Sequence, residues 1–360
     1  MSDKQIGQKF ILEKLERLSK PVIVSSSTKK VLTIEDEIFN RLMSRKFRKY
    51  AASDKLKNRM KEAIAYRVAN KLPIKITFMQ GGFKLWRLDE SPEVDWAELF
   101  ALMFYSEWLS RVCAVYEHGV DVEIYIMGYI MERISNYTRE ETLAYQNSFH
   151  TIIDFVSKYV PANLKMRLTT MNDRYGSEKE FWELLDTTVS KYKTAEEIIL
   201  PPEHIKSLEL NYRPKQGEVL GSMWREENAR IHDAYVKMDS ERAWNERKTE
   251  IIAVTDGRGW DYGLLMGSTK DSIVKYWVGV GALREKGNTF MPTVLSPSQL
   301  ANADVTIQDI NINGLNGKNF KKLRLVKNAL PTTSGFARAG VYARPDYCAN
   351  IQVCSPPEPL

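Results

Sequence analysis

Alternating apolar and polar positions predict the first strands of this chain. Residues 74–79 read Ile-Lys-Ile-Thr-Phe-Met, and residues 120–126 read Val-Asp-Val-Glu-Ile-Tyr-Ile. A period of two places the apolar side chains on one face of a strand and the intervening side chains on the other face. A shorter pattern at Leu164, Met166 and Leu168 predicts a third strand of the same kind.

Helical patterns precede the first strand and follow it. Residues 31–43 and about 54–70 read as helices before the strand. Ser91-Pro92-Glu93 is a typical helix start, because a hydroxyl N-cap, a proline at the first helical position and an acid in the first turn are each favoured there. We therefore expect a helix from Ser91 to about Tyr116. Its apolar side chains cover most of its circumference, which is typical of a helix packed between layers.

Two capping boxes predict further helices later in the chain. Thr138 with Glu141 and Ser177 with Glu180 have the required spacing of a hydroxyl and a carboxylate. Strands that alternate with helices need crossover connections, which favour a parallel sheet. The sequence therefore predicts an α/β fold. It is a Rossmann-like, mainly parallel sheet with flanking helices, an N-terminal helical lead-in and a small C-terminal α+β extension.

Three regions follow from this pattern. Residues 1–60 form a helical segment packed on the core, residues 61–300 form the α/β domain, and residues 301–360 form an extension. We expect the extension to be partly irregular, because Asn, Gly and Pro become frequent there.

The composition is that of a globular protein, with 43% hydrophobic and 27% charged residues. No apolar run approaches the roughly 18–20 residues of a membrane span, and the N-terminal residues lack the layout of a secretory signal. We therefore expect a cytoplasmic protein that is not bound to a membrane. The three cysteines and four histidines lack the spacing of a metal site, and Cys113 lies in an apolar run typical of a buried thiol.

Basic residues concentrate between Arg41 and Lys61, within a net charge of +6. Such a density suits a phosphate-bearing partner. The stretch offers few aromatic side chains for base stacking, only Phe47 and Tyr50, and contains no recognised nucleic-acid module. We therefore favour the solvated face of surface helices over a nucleic-acid interface.

Glycine-rich loops of the nucleotide-binding kind do not fit the pattern. Gly257 and Gly259 follow a predicted strand, but Tyr262 occupies the third glycine position of G-x-G-x-x-G. That position must be small for the helix to pack closely on the strand. A nicotinamide or flavin site is therefore not expected, and the sequence contains no G-x-x-x-x-G-K-[ST] phosphate loop.

The loop after the first predicted strand is the candidate site. It reads Gly81-Gly82-Phe83-Lys84-Leu85-Trp86-Arg87. Ligands of parallel α/β sheets bind at the carboxyl ends of the strands, and glycines let the backbone approach a ligand closely. Lys84 could bind phosphate or act as a nucleophile or base, and Arg87 could clamp a carboxylate or phosphate. A solvated basic turn is the alternative.

The segment that holds this loop resembles part of a known family. Residues 73–84 read P-I-K-I-T-F-M-Q-G-G-F-K and resemble the P-I, strand, F-P-x-K-S-x-N segment of the pyoverdine/dityrosine biosynthesis family, the isocyanide synthases. Residues 115–124 resemble its V-Y-x-P-G-x-x-V-x-I, residues 138–145 its S-x-E-x-V-x-x-Y, and residues 277–280 are similar to W-H-G-V. The resemblance spans about residues 35–300 and is carried by the order and spacing of the motifs.

The resemblance implies an enzyme that forms a carbon–nitrogen bond without a metal or organic cofactor. In the family, the amine of an amino acid condenses with the ketone of ribulose 5-phosphate, and a sugar carbon becomes the isocyanide carbon. The site residues then expected here are of two kinds. The catalytic ones are Lys84, Tyr129 and Glu132, and the substrate-binding ones are Gly81, Gly82, Trp86, Arg87 and Arg133.

The chain departs from the family at several ionisable positions. Leu85-Trp86-Arg87 replaces S-x-N, and residues 126–133 replace S-D-G-[RH]-V-F-x-D. Met127 stands where the family has an acid, Arg133 reverses the second acidic position, and Val278 replaces a histidine. These changes predict an altered reaction in a retained pocket.

Three functions are therefore hypotheses. The first is a biosynthetic enzyme of specialised metabolism that acts on an amino acid or its derivative, with ribulose 5-phosphate as a possible co-substrate. The second is a non-catalytic pathway partner on the same fold. The third is an RNA- or tRNA-binding protein that uses the basic segment, and it is the least favoured.

Overall fold

The computed structural model describes most of the first 192 residues and several later segments. The continuous ranges are 3–20, 32–44, 54–80, 91–126, 128–192, 212–218, 245–254, 264–265, 280–295 and 304–327. Single positions add to these: Phe47, Glu227, Asn228, Arg230, Ile231, Ala234, Tyr235, Met238 and Arg242.

Helices and strands alternate through the first half of the chain. The described α-helices are α1 Asp3–Leu18, α2 Ile34–Leu42, α3 Asp54–Ala69, α4 Trp96–Cys113, α5 Ile130–Ser135, α6 Arg139–Ser157, α7 Met171–Tyr175 and α8 Glu178–Tyr192. The described strands are β1 Ile74–Gln80, β2 Val120–Ile126, β3 Leu164–Thr169, β4 Ile251–Val254, β5 Leu264–Leu265, β6 Val280–Lys286, β7 Thr289–Leu295, β8 Val305–Asp309 and β9 Lys322–Val326. A short 3-10 helix spans Lys318–Phe320.

The first five strands form one parallel sheet in the order β3-β2-β1-β4-β5. The three strands predicted from alternation are its three longest members. The predicted α/β class is therefore confirmed, with a parallel sheet, flanking helices and helices before the first strand. Because the chain leaves β1 in one direction for β2 and later returns to its other side for β4, β1 is the strand at which the order reverses.

One face of the parallel sheet is apolar and carries the main core. Ile76 of β1, Val122 and Ile124 of β2 and Leu164 of β3 are buried on this face. Helix α4 packs across it and belongs to the same apolar cluster. The ring of Phe78 stacks on Tyr105 of α4 at a centroid distance of 3.8 Å. The apolar positions of the alternating pattern thus have the role that the sequence predicts.

The opposite face of the sheet is divided between an apolar cluster and charged residues. Tyr125 of β2 packs with side chains of α5, α7 and α8. Thr77, Glu123 and Arg167 stand in one row across β1, β2 and β3, because the register pairs Thr77 with Glu123 and Glu123 with Arg167. Strands of a parallel sheet are usually apolar on both faces, so this charged row is the feature of the sheet that needs a chemical explanation.

A second, four-stranded sheet has the order β7-β6-β9-β8 and packs against the start of α4. Asp95 joins the two parts: its Oδ1 accepts a hydrogen bond from the amide of Ala97, and its Oδ2 accepts one from the amide of Gly281 in β6. Trp96 Nε1 donates to the carbonyl oxygen of Lys322 at 2.7 Å. Strands on both sides of residue 300 build this sheet, so the predicted division at that residue falls within it.

The predicted start of α4 at Ser91 is wrong by four residues. The N-cap is Asp95, and its partner in a capping box is Glu98, whose Oε2 accepts from the Asp95 amide at 2.7 Å. The boxes at Thr138 and Thr170 are likewise complete, and the Ser177 hydroxyl accepts from the Glu180 amide at 3.2 Å. Among the described helices, none combines the length and the hydropathy that a membrane span requires.

Candidate functional site

Five of the predicted site residues lie outside the part of the chain that the structure describes: Gly81, Gly82, Lys84, Trp86 and Arg87. The same holds for Met127 and for the segment around Trp277. The strand before the loop is described to Gln80, and the register pairs Gln80 with Ile126. The last residues of β1 and β2 therefore lie side by side at the carboxyl edge of the sheet.

Tyr129 and Glu132 lie together in the segment that follows β2. Arg139 of α6 connects them: its guanidinium carbon lies 4.0 Å from the centre of the Tyr129 ring, and its Nη2 is 3.1 Å from Oε2 of Glu132. The same arginine also donates to Glu178 of α8 at 2.7 Å. These bonds raise the pKa of Arg139, first through Glu178 and then through Glu132. Glu132 is thus a half-buried carboxylate with a fixed cationic partner.

Arg133 points to a different neighbour. Its Nη1 lies 2.6 Å from Oδ1 of Asp186 in α8, and its guanidinium lies 5.8 Å from the Trp182 ring. The pair holds α5 against α8. Of the three predicted site residues that the structure describes, Tyr129 and Glu132 are brought together, and Arg133 is directed to α8.

A cavity of about 480 Å³ opens on the charged face of the parallel sheet. Its volume is within the range of small-molecule sites. Its described lining contains five basic and three acidic side chains. The basic ones are Lys75, Arg167, Arg174, Arg242 and Arg247, and the acidic ones are Glu123, Asp173 and Glu246; Thr169 and Tyr175 complete the set.

Glu123 lies at the base of this cavity and is 3% exposed. Its Oε1 accepts hydrogen bonds from Thr169 Oγ1 at 2.8 Å and from Arg174 Nη2 at 3.3 Å. Its Oε2 accepts from Arg247 Nη2 at 2.5 Å and from Thr77 Oγ1 at 3.4 Å. Both oxygens of the carboxylate are therefore occupied by donors from four different parts of the chain.

The charge state of Glu123 follows from these contacts. Burial by itself raises the pKa of a carboxyl group, but the positive charges of Arg174 and Arg247 and the hydrogen bonds from Thr169 and Arg247 outweigh it and lower the pKa of Glu123 to about 2. The group is ionised at neutral pH. A carboxylate with so low a pKa is a poor proton donor or acceptor, so Glu123 acts as a fixed negative charge.

Glu250 extends the network beneath the cavity. It is the residue before β4, and its Oε1 lies 2.7 Å from Nζ of Lys75. Its Oε2 accepts from Arg247 Nε at 2.8 Å and from Thr77 Oγ1 at 3.2 Å. Arg247 is thereby held at two points, by Nε on Glu250 and by Nη2 on Glu123.

Two arginines of the cavity lie over tyrosine rings. The guanidinium carbon of Arg174 is 3.6 Å from the centre of the Tyr125 ring, and that of Arg242 is 4.6 Å from the centre of the Tyr175 ring. A guanidinium over an aromatic face gains cation–π energy and loses rotational freedom. The cavity thus presents cations in fixed orientations, which is an arrangement suited to hold an anion.

Sequence reasoning missed this cavity, although part of its signal is visible. An acid in the middle of a strand that is otherwise buried requires a cationic partner. Lys75 and Arg167 occupy polar positions of the alternating pattern in β1 and β3, the strands on either side of β2. The sequence does not indicate that Arg174 and Arg247 lie near Glu123, because neither belongs to a periodic pattern that contains this residue.

The remaining candidates from the sequence are the cysteine, possible metal ligands and the basic segment. Burial raises the pKa of Cys113 to about 12, which agrees with the predicted buried thiol. Within the described ranges, no three His, Cys, Asp or Glu side chains lie close enough together to hold a metal ion. In the basic segment, Arg41 pairs with Glu37 at 2.7 Å and Lys57 with Asp54 at 2.7 Å.

The fold is similar to that of PvcA from Pseudomonas aeruginosa. The crystal structure of that protein superposes with a TM-score of 0.58 and 14% sequence identity, over 78% of this chain and 97% of the PvcA chain. At this identity the likeness establishes the fold. The crystal structure of tyrosyl-tRNA synthetase from Aeropyrum pernix is a weaker match, with a TM-score of 0.30 and 12% identity over 61% of this chain and 53% of that one. No protein-family model and no curated protein sequence matches the chain.

Proposed function

We propose that this protein is an enzyme of specialised metabolism that acts on an amino acid or an amino-acid derivative, in the manner of the isocyanide synthases. Two independent comparisons support the proposal. The motifs of residues 73–145 resemble those of that family in order and spacing, and the fold is similar to that of PvcA from Pseudomonas aeruginosa. The fold match extends over nearly the whole PvcA chain.

The observation that carries the proposal is the pairing of Gln80 with Ile126 at the ends of two adjacent parallel strands. The loop with Lys84 and Arg87 begins directly after Gln80, and the segment with Tyr129 and Glu132 begins directly after Ile126. Two sets of residues that resemble the family's site, 40 or more positions apart in sequence, thus start from one edge of the sheet. That edge is where ligands of parallel α/β sheets bind.

The proposed roles follow from the chemistry of each side chain. Arg87 binds the carboxylate of the amino acid. The amine adds to the ketone of a pentulose phosphate, the adduct loses water to give an imine, and both steps require proton transfers. Lys84, Tyr129 and Glu132 are the groups that we assign to those transfers. Arg139 keeps the Glu132 carboxylate oriented, and no metal or organic cofactor takes part.

The test is the product formed from defined substrates. The purified protein is incubated with each of the amino acids and with ribulose 5-phosphate carrying ¹³C at its ketone carbon, and the products are analysed by mass spectrometry. The proposal expects a product that contains both the amino acid and the label, and expects it to disappear in the Lys84→Ala protein. If no amino acid yields a labelled product, the non-catalytic alternative is favoured.

A further inference from the structure

We infer that the cavity on the charged face of the parallel sheet binds a small molecule through an oxyanion group, a carboxylate or a phosphate, held among Arg174, Arg242 and Arg247. None of these arginines belongs to the loop or to the segment assigned to the proposed reaction. The inference therefore does not rest on the proposed function, and either one can fail alone.

The donors of the cavity, and not its net charge, favour an anion. Its described lining has five basic and three acidic side chains, and two of the basic ones, Lys75 and Arg167, pair with Glu250 and Asp121 outside this set. Of the lining acids, Glu123 accepts hydrogen bonds on both oxygens, and Glu246 accepts one from Arg242 at 2.7 Å. An oxyanion is therefore favoured by the guanidinium donors that line the cavity.

Arg247 provides a donor that the protein itself does not use. Its Nε and Nη2 are bonded to Glu250 and Glu123, but its Nη1 is buried and has no hydrogen-bond partner among the described residues. A buried guanidinium N–H without an acceptor loses its hydration and gains nothing in return. Since Arg247 lines the cavity, an oxygen of a bound anion would be the acceptor for Nη1.

The cations are also preorganised. Glu123 and Glu250 fix Arg247, while Glu123 and the Tyr125 ring fix Arg174. Guanidinium groups whose positions are set before binding lose little conformational freedom when the anion arrives. Arg247 shares both of its carboxylates with other cations, because Glu123 also contacts Lys75, Arg167 and Arg174, and Glu250 also contacts Lys75. The ligand is expected to be a small metabolite, because a cavity of about 480 Å³ has room for more than a single phosphate ion.

Isothermal titration of the full-length protein with inorganic phosphate and, separately, with malonate tests the inference. Sodium chloride at matched ionic strength serves as the reference for screening. We expect saturable binding of one or both anions and none with chloride. Tighter binding of phosphate identifies the group as a phosphate, and tighter binding of malonate identifies it as a carboxylate.

Two variants and a control test whether the anion binds in this cavity. Arg247→Gln is expected to weaken anion binding about ten-fold or more, as the loss of one charge-assisted hydrogen bond predicts. Arg242→Gln serves the same purpose if Arg247→Gln does not fold, because Arg242 lines the cavity with 35% of its side chain exposed. Arg213→Gln is the control: this arginine pairs with Glu141 away from the cavity, and its loss is expected to leave binding unchanged. Absence of saturable binding, or equal affinity in the Arg242→Gln and control proteins, would overturn the inference.

Discussion

Arg247 donates a hydrogen bond to the carboxylate of Glu123 across 124 positions of the sequence. The acceptor stands in an interior strand of the parallel sheet, and the donor comes from the segment just before β4. The contact adds a charged connection to the apolar one that Ile231, Tyr235 and Met238 make in the cluster with Tyr125 of β2. It also fixes the position of Arg247 in the wall of the cavity.

Replacing Glu123 with Gln is expected to destabilise the protein strongly. Arg174 and Arg247 would keep their charges in a buried site without the compensating carboxylate, and such a loss costs about 3–5 kcal/mol. Urea unfolding followed by circular dichroism measures the change. Glu117→Gln is the matched control, because Glu117 is 88% exposed and its loss is expected to cost less than about 0.5 kcal/mol. A loss below about 1 kcal/mol for Glu123→Gln would show that Arg174 and Arg247 do not depend on this carboxylate.

Acid is expected to weaken the fold through the same carboxylate. The folded-state pKa of Glu123, about 2, lies below the usual value of 4.5. Its contribution to stability is therefore present in full above pH 4.5 and is lost as the pH falls toward 2. Protonation of Glu123 is therefore expected to lower the unfolding free energy by about 3 kcal/mol. The difference in unfolding free energy between the wild type and Glu123→Gln should shrink across this window, and a constant difference would refute the pairing.

A methyl group at Gly281 is expected to separate the second sheet from α4. A Cβ built there would lie 2.3 Å from the amide nitrogen of Ala97 and 2.4 Å from Cβ of Trp96. These atoms belong to the helix start and cannot move without moving the helix. Gly281→Ala should therefore lower the unfolding free energy by about 2 kcal/mol or more. Glu285→Ala, an exposed position of the same strand, is the control. Equal stability of the two variants would argue against close packing here.

Comparison of Glu132 with Glu178 distinguishes a catalytic role of Glu132 from a structural one. Glu132 and Glu178 both bind Arg139, and both are partly buried. If Glu132 transfers protons, Glu132→Gln should lower turnover at least about 100-fold, whereas Glu178→Gln should lower it little. Thermal unfolding of both proteins serves as the structural reference and should shift by similar amounts. Equal loss of turnover in the two variants would show that only the support of Arg139 matters.

The local signals of the sequence were sufficient for much of the fold. Alternation located β1, β2 and β3, and the Thr138 capping box located the start of α6, because each depends on residues close together in the chain. The start of α4 was misplaced for the opposite reason. Ser91 and Asp95 are both suitable N-caps, and Asp95 has the additional bond to the amide of Gly281, 186 positions away. No local pattern contains that contact.

The site could be predicted only in part for the same physical reason. Lys75, Glu123 and Arg167 lie on one face of adjacent strands. The alternating pattern of each strand predicts that these polar side chains point away from the apolar face. The arginine that completes the cluster, Arg247, depends on where a distant segment meets the sheet. The loop at Lys84 was proposed from its place after a strand and from the family resemblance, and its geometry remains a prediction because residues 81–90 lie outside the described ranges.

Turnover by the wild type and two variants shows whether the loop after β1 belongs to the active site. The wild type, Lys84→Ala and Arg87→Ala are each incubated with the amino-acid set and ¹³C-labelled ribulose 5-phosphate, with circular dichroism to verify folding. We predict a labelled conjugate from the wild type and loss of at least about 100-fold in each folded variant, as expected when a positioned cation is removed. Labelled product at the wild-type rate from both variants would contradict the assignment of the site at the carboxyl edge of β1.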